Sequence, residues 1–387
     1  MPRINALTTI HVTGYILVED ALPVRQKPGT QVERSPYSPP VRHLAEEISS
    51  TYFVDNTQEM PKVTLVRIEM HSRDIATFTF ESPTRVGIVP GQAAILDFKS
   101  FVGALSYQHM APGDPTSVND DRIRTWTVSG SSRWAGSSSR SADTTVVPLS
   151  LTLTMRHKPG GVVTSALFAI AHQLGELRPE LLEDTRPLQL SVPLIGVAGD
   201  FTLPTCVDAC SSGHGEVSSA LPPTHADARK WLWVAGGIGV TPFLAMLAGL
   251  KDKKSDGGWC RNAEDIILLL STREPDVLLP LVIRALECTG DHLEEGHRGR
   301  LSIHVFSRTP PSSSSSVTTA SRTALAIEVT QHEGRLNKET LRALNIEHVQ
   351  GRQTYVCGPE DFEQTVLAAL KEIGVDSRNV RREGFAY

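Results

Sequence analysis

Between residues 60 and 203 the chain reads as a series of short apolar and β-branched runs. Lys62–Glu69, Ala76–Glu81, Ala93–Phe98 and Leu149–Arg156 are each six to eight residues long and bounded by turn formers. Such lengths and spacings predict antiparallel strands closing into a small barrel. From Lys230 the texture changes. Apolar runs at Trp231–Val234, Asp265–Leu270, Leu301–Phe306 and Thr354–Cys357 alternate with helical patterns at Pro242–Leu250, Pro275–Leu286, Asn337–Leu344 and Pro359–Ile373. Alternating strands and helices predict a doubly wound parallel sheet with helices on both faces. The fold class expected is therefore β followed by α/β.

The flanks are less regular. Residues 1–55 hold a β-like start (Thr8–Leu17), a Pro/Arg-rich stretch to Arg42 and a short helix near His43–Ser50. Residues 204–228 lack periodicity and read as a linker or insertion. Ser131–Ser141 and Thr309–Ser321 are Ser-rich loops. The expected organisation is an N-terminal extension (1–55), a β-barrel domain (56–203), a linker (204–228) and an α/β domain (229–387). Trp231–Leu250 carries no charge over 20 residues and is long enough to span a bilayer. Gly236, Gly237, Gly239 and Pro242 break it, however, so a strand, a glycine turn and a buried helix are expected instead.

Composition narrows the classes. A chain of 387 residues predicts about two to three domains. Its 38 basic and 43 acidic residues leave a net charge of −5, which excludes a globally basic nucleic-acid binder. Five scattered cysteines exclude a disulfide scaffold and suit a reducing cytoplasm. The first residues lack the features of a secretory signal, and no membrane insertion is expected. Cys206, Cys210, His214 and His225 are metal-ligand types, but their spacing fits no common zinc module, so no metal site is expected.

Four motifs carry candidate chemistry. Val234-Ala-Gly-Gly-Ile-Gly-Val-Thr-Pro242 follows a strand and opens a helix. Its glycines either let backbone N–H groups approach a phosphate at a helix N-terminus or simply make a tight crossover. Tyr355-Val-Cys-Gly-Pro-Glu360 repeats the strand-to-helix arrangement, and both turns belong at the carboxyl edge of a parallel sheet, where such sheets bind ligands. Cys357 is either a small apolar filler or a group facing a bound ring. In Arg124-Thr-Trp-Thr127 the Arg and Trp share a strand face, suited to clamping a pyrophosphate and stacking on a flat ring; taken by itself the motif fits an exposed Arg and a barrel Trp better. Lys158-Pro-Gly-Gly-Val-Val-Thr-Ser165 is a second turn into a helix N-terminus, preceding the apolar run Ala166–Ile170.

Together and in this order, the motifs resemble the ferredoxin–NADP reductase superfamily over roughly residues 60–387. Arg124, Trp126 and Thr127 match that family's Arg-x-Tyr-Ser, with Trp for Tyr and Thr for Ser. Gly161-Val-Val-Thr164 matches its Gly-x-x-Ser. Gly196-Val-Ala-Gly-Asp-Phe201 is similar to the Gly-rich turn that closes its barrel. Gly236, Gly237, Gly239, Thr241 and Pro242 match its nucleotide-pyrophosphate loop, and Cys357, Gly358 and Pro359 match its Cys-Gly-Pro turn. The end, Glu383-Gly-Phe-Ala-Tyr387, is similar to members whose last aromatic covers the flavin.

The resemblance implies FAD held by Arg124, Thr125, Trp126, Thr127, Gly160, Gly161, Val162, Val163, Thr164 and Ser165. It implies a pyridine nucleotide on the loops around Gly237 and Gly358. Ser307 and Arg308, with Arg273, correspond to positions that grip the 2′-phosphate of NADPH in several members, and NADPH is the donor favoured over NADH. Thr127, Cys357, Glu383 and Tyr387 would stand at the hydride-transfer site. The activity implied is hydride transfer from NAD(P)H to FAD and electron delivery to an acceptor, including a separate redox protein. A non-catalytic flavin- or nucleotide-binding protein on the same scaffold stays open at this level. Val12-Thr-Gly-Tyr15, Ala21-Leu-Pro-Val-Arg25 and Ser35-Pro-Tyr-Ser-Pro-Pro-Val-Arg42 resemble the junction joining a pyridoxamine-phosphate-oxidase-like domain to such a reductase.

Overall fold

The computed structural model describes residues 52–53, 60–84, 86–102, 122–132, 149–203, 229–251, 264–287, 299–308, 326–344 and 352–385. The expected strand Thr8–Leu17, helix His43–Ser50, linker 204–228 and terminal Tyr387 lie outside the described residues.

The first sheet comprises β1 (Tyr52–Phe53), β2 (Lys62–Met70), β3 (Ile75–Ser82), β4 (Ala93–Asp97), β5 (Ile123–Thr127), β6 (Gly130–Ser131), β7 (Leu149–Arg156) and β8 (Ser191–Ala198). Its order is β5-β4-β8-β2-β3-β7-β6, antiparallel throughout, with β1 on β8. Helices α1 (Lys99–Val102), α2 (Val162–Leu177) and α3 (Glu180–Glu183) accompany it. Alternation builds the core: Phe78 and Phe80 on β3 are buried beside Leu151 and Leu153 on β7. The apolar stripe of α2 (Val163, Leu167, Phe168, Ala171, Leu174) covers them, Phe168 meeting Phe78 edge to face at 5.6 Å.

Two expectations need correction. Among the described residues no ladder joins β5 to β6, so the sheet is not a closed barrel. The two ends of its order are consecutive in the chain, and the break falls at Val128–Ser129. There the Val128 N–H bonds to the Gln92 carbonyl and the Ser129 N–H to the Thr152 carbonyl. One segment thus switches partners and wraps the sheet round without a continuous ladder. The second correction concerns Gly196-Val-Ala198, which is not a turn but the end of β8. That strand carries Pro193, paired with Lys62 on β2, and Gly196, and its register on β4 shifts between Ile95 and Leu96. The chain turns only at Gly199, whose φ is +116°.

The second sheet holds β9 (Arg229–Gly236), β10 (Glu264–Ser271), β11 (Gly299–Ser307), β12 (Ala326–Glu333), β13 (Gln353–Pro359) and β14 (Val380–Phe385) in the order β12-β11-β10-β9-β13-β14, all parallel. Helices α4 (Thr241–Lys251), α5 (Pro275–Leu286), α6 (Lys338–Ala343) and α7 (Glu360–Glu372) pack on it. Alternate residues feed two cores. Trp233, Leu268 and Ile303 face α4 and α5. Leu232, Val234, Leu269 and Phe306 face α6 and α7. Asn337 starts α6 with a reciprocal capping box to Thr340. The order reverses at β9, which has β10 on one side and β13 on the other, and such a switch point opens a crevice at the carboxyl edge.

The sheets are joined by close packing and polar ties. Ala245 of α4 enters the first core, and a Cβ on Gly249 would lie 2.4 Å from Pro90 Cγ. Tyr355 Oη donates to the Thr202 carbonyl at 2.9 Å, and Arg381 Nη1 donates to the same oxygen at 3.0 Å. Arg156 pairs with Glu274, and Arg284 with Glu69. Arg284 is half exposed, so Arg284→Ala should cost no more than about 1 kcal/mol in urea unfolding, with the loss shrinking as salt is added.

Candidate functional site

β9 ends at Gly236, a 3₁₀ turn runs Gly237–Val240, and α4 begins at Thr241. The glycines serve two purposes. Gly237 adopts φ +55°, and a Cβ there would meet nothing within 4 Å, so its outer surface is bare backbone. Gly236, Gly239 and Gly358 instead permit close approach. A Cβ on Gly239 would lie 2.4 Å from the Cys357 carbonyl oxygen. On Gly236 or Gly358 it would lie 2.6 Å from the Phe362 ring. The turns after β9 and β13 therefore form one floor, clamped from the first turn of α7 by Phe362. Thr241 and Pro242 are buried, starting the helix rather than facing outward. Pro359 ends β13 and precedes α7 as its N-cap, just outside the helix.

Cys357 stands at this floor and is fully buried. It is the register partner of Glu383 on β14, so the two side chains share a sheet face. Burial pushes the Cys357 thiol well above its ordinary value, and the charges of Glu383 and Glu363 push it further. The thiol is thus held protonated, a poor nucleophile. A thiol raised in the folded state contributes stability that is present below the unfolded value, about pH 8.5, and lost as the pH rises through the folded value. Cys357→Ala should accordingly flatten the alkaline decline in unfolding free energy above about pH 8.5, measured by urea titration.

On the first sheet Arg124 and Trp126 share one face of β5, with Thr125 and Thr127 on the other. Arg124 Nη1 donates to the Ile123 carbonyl at 2.8 Å. Trp126 is half buried, meeting Phe98 edge to face at 5.3 Å. Thr125 is exposed and Thr127 buried. Beyond β7, Gly160 turns the chain with φ +76° and Gly161 is the N-cap of α2, with no side chain bonding the first helical N–H groups. The Thr164 hydroxyl pins the turn, accepting from the Lys158 N–H and donating to the Gly161 carbonyl, both at 3.3 Å. Ser165 Oγ lies 3.2 Å from His157 Nε2. Val162 and Val163 point into the core. A glycine-capped helix, whose cap offers no side chain to the first N–H groups, fits an anion such as a pyrophosphate.

The two sets of residues meet. The Gly237–Val240 turn lies against β7, and α4 lies against β6, one step beyond Arg124–Thr127. At the neighbouring strand ends, the Thr272 N–H bonds to the Phe306 carbonyl at 2.9 Å, which sets Arg273 beside Ser307 and Arg308. Both arginines are exposed and Ser307 is buried. Sequence reasoning missed Phe362 and Glu363. In the string Glu-Asp-Phe-Glu after Pro359 they read as an ordinary charged first helical turn, and only the closeness of Gly236 and Gly358 reveals them.

Among the described residues no group of three His, Cys, Asp or Glu side chains is placed to hold a metal, and no helix is long and apolar enough to cross a membrane. No protein-family model matches the chain, and no curated protein matches it. Among solved structures, the flavohaem-like FAD/NAD-binding domain of nitric oxide dioxygenase from Vibrio cholerae O1 biovar El Tor is 14% identical, with a TM-score of 0.43 over 85% of this chain and 99% of that one. A ferredoxin NADP+ reductase from Neisseria gonorrhoeae with bound FAD and NADP is 15% identical, with a TM-score of 0.43 over 84% and 99%. The cytochrome b5 reductase domain of Ulva prolifera nitrate reductase is 13% identical, with a TM-score of 0.44 over 86% and 99%.

Proposed function

We propose that the chain is an FAD-dependent NAD(P)H oxidoreductase of the ferredoxin–NADP reductase type. The observation that carries this reading is the contact of the Gly237–Val240 turn with β7. It brings a bare-backbone phosphate turn on a parallel sheet against the strand that leads into the second anion-compatible turn, at Gly160–Ser165. A ligand spanning this contact would meet two backbone turns at helix starts, the Trp126 ring, the buried Cys357 thiol and the half-buried Glu383 carboxylate.

Residues of the chain divide the work. Arg124 and the α2 N-terminus hold the flavin pyrophosphate, one through a charged fork and the other through backbone N–H groups. Trp126 offers a half-buried ring for stacking. Thr127 would serve the flavin ring edge, and Tyr387, the residue expected to cover the ring, lies outside the described residues. The Gly237 turn receives the dinucleotide pyrophosphate, while Ser307, Arg308 and Arg273 grip a 2′-phosphate, which favours NADPH. Cys357 and Glu383 bound the nicotinamide pocket. The carboxylate favours positive charge developing on a ring that gives up hydride, and the protonated thiol fills space without competing as a nucleophile. Bound FAD supplies the two-electron acceptor that amino-acid side chains lack. The protein's main contribution is to keep two flat rings in near-attack contact and water out. Electrons then pass to an acceptor, and a separate redox protein is one class that would serve.

An absorption spectrum of the purified protein, followed by anaerobic titration with NADPH and NADH separately, tests this reading. A flavin spectrum bleached by either nucleotide, more readily by NADPH, is expected. Protein that stays colourless with added FAD would refute it. Arg124→Ala should weaken flavin retention by about ten- to a hundredfold, the range for a lost charged hydrogen bond, as read from flavin released on gel filtration.

A further inference from the structure

Glu363 is a charged residue in a place that charged residues avoid. It lies in the first turn of α7 and is 6% exposed. Its carboxyl accepts a hydrogen bond from the Gly358 N–H, yet Oε1 is buried and has no hydrogen-bond partner among the described residues. Its bond to the Gly358 N–H and its charge effect on Cys357 place Glu363 beside the floor that carries that thiol. Burial raises its carboxyl above the ordinary range, with the Gly358 N–H and Arg382 opposing and Glu360 adding to the rise. An acid raised in the folded state contributes stability present below its unfolded value and lost as the pH rises through the folded one, so at neutral pH Glu363 costs stability. A buried acceptor left open has free energy to gain from a donor.

We propose that Glu363 is a binding residue for the nicotinamide half of the dinucleotide, its buried Oε1 accepting a hydrogen bond from the carboxamide amino group. This rests on the reading that the dinucleotide docks on the two glycine turns. The chemistry is specific: a carboxylate oxygen accepts only, and the carboxamide NH2 is the one N–H donor of the nicotinamide ring. Neutral Gln at the same position keeps an acceptor of similar shape without the charge, and Met removes it.

The test compares two ligands by calorimetry on the full-length holoprotein. NADP+ carries the carboxamide; 2′-phospho-ADP-ribose keeps the adenine, riboses and phosphates but lacks the nicotinamide. In the wild type NADP+ should bind tighter than the fragment. Glu363→Met should lower the NADP+ affinity about tenfold and leave the fragment unchanged, with Glu363→Gln intermediate. Glu363→Gln should be no less stable than wild type at neutral pH, so it carries the comparison if the Met variant fails to fold. Equal weakening of both ligands would make Glu363 a purely structural support of the Gly358 turn and overturn the proposal, as would no change in either. Wild-type protein that binds neither ligand would instead overturn the dinucleotide reading itself, and the proposal with it.

Discussion

Replacing Gly237 by Trp is expected to yield a yellow protein that NADPH no longer reduces. Gly237 presents bare backbone to open space at the switch point of the parallel sheet, and nothing within 4 Å would contact a new Cβ. The fold therefore loses little beyond about 1–2 kcal/mol for a side chain at φ +55°. The indole would occupy the space proposed for the pyrophosphate and so push a bound nicotinamide out of register. Displacements of this order cost about a hundredfold in rate, and direct exclusion costs more. Stopped-flow bleaching of the flavin under anaerobic conditions measures this. Gly237→Ala separates the causes, since it imposes the same backbone strain without the bulk. Retention of near-normal reduction by Gly237→Trp would remove the turn from the site.

Gly239→Val should act through the opposite mechanism. Its Cβ would lie 2.4 Å from the Cys357 carbonyl oxygen and 2.9 Å from Gly358 Cα, both backbone atoms of a central strand. Neither can swing aside as a side-chain tip would. The two strand ends must separate, at a cost of about 3 kcal/mol, near the upper end for overpacking. For a unit of this size that corresponds to roughly 10 °C in the thermal midpoint. Parting the turns also dissolves the common floor, so flavin reduction should fall even at temperatures where the variant is folded. A variant as stable as wild type and fully reducible would show that the two turns are independent.

These cases show what could be read from the residues and what could not. Runs such as Asp265–Leu270 and Leu301–Phe306 are so apolar that buried parallel strands were plain, and both appear within a residue or two of the expected ends. The edge strands were invisible for the opposite reason. β14 begins Val-Arg-Arg-Glu, and β12 buries only Ile327 and Val329, because edges are kept charged against stray pairing. β8 hid behind Pro193 and Gly196, two residues that strand interiors usually avoid. The glycine turns were legible as turns, but their joining into one floor depends on the β9–β13 pairing, a contact between residues over a hundred positions apart in sequence. Glu363 could not be found from its neighbours at all, since burial of a carboxylate is a property of the packed helix.

Both cofactors are proposed to meet where the two sheets pack together. A crystal of the protein soaked with FAD and NADP+ tests it most directly. The account predicts pyrophosphates at the Gly160–Ser165 and Gly237 turns, with the flavin and nicotinamide rings reaching the space between Trp126 and Cys357. Density showing the two molecules lodged at distant sites, or only one of them admitted, would contradict it.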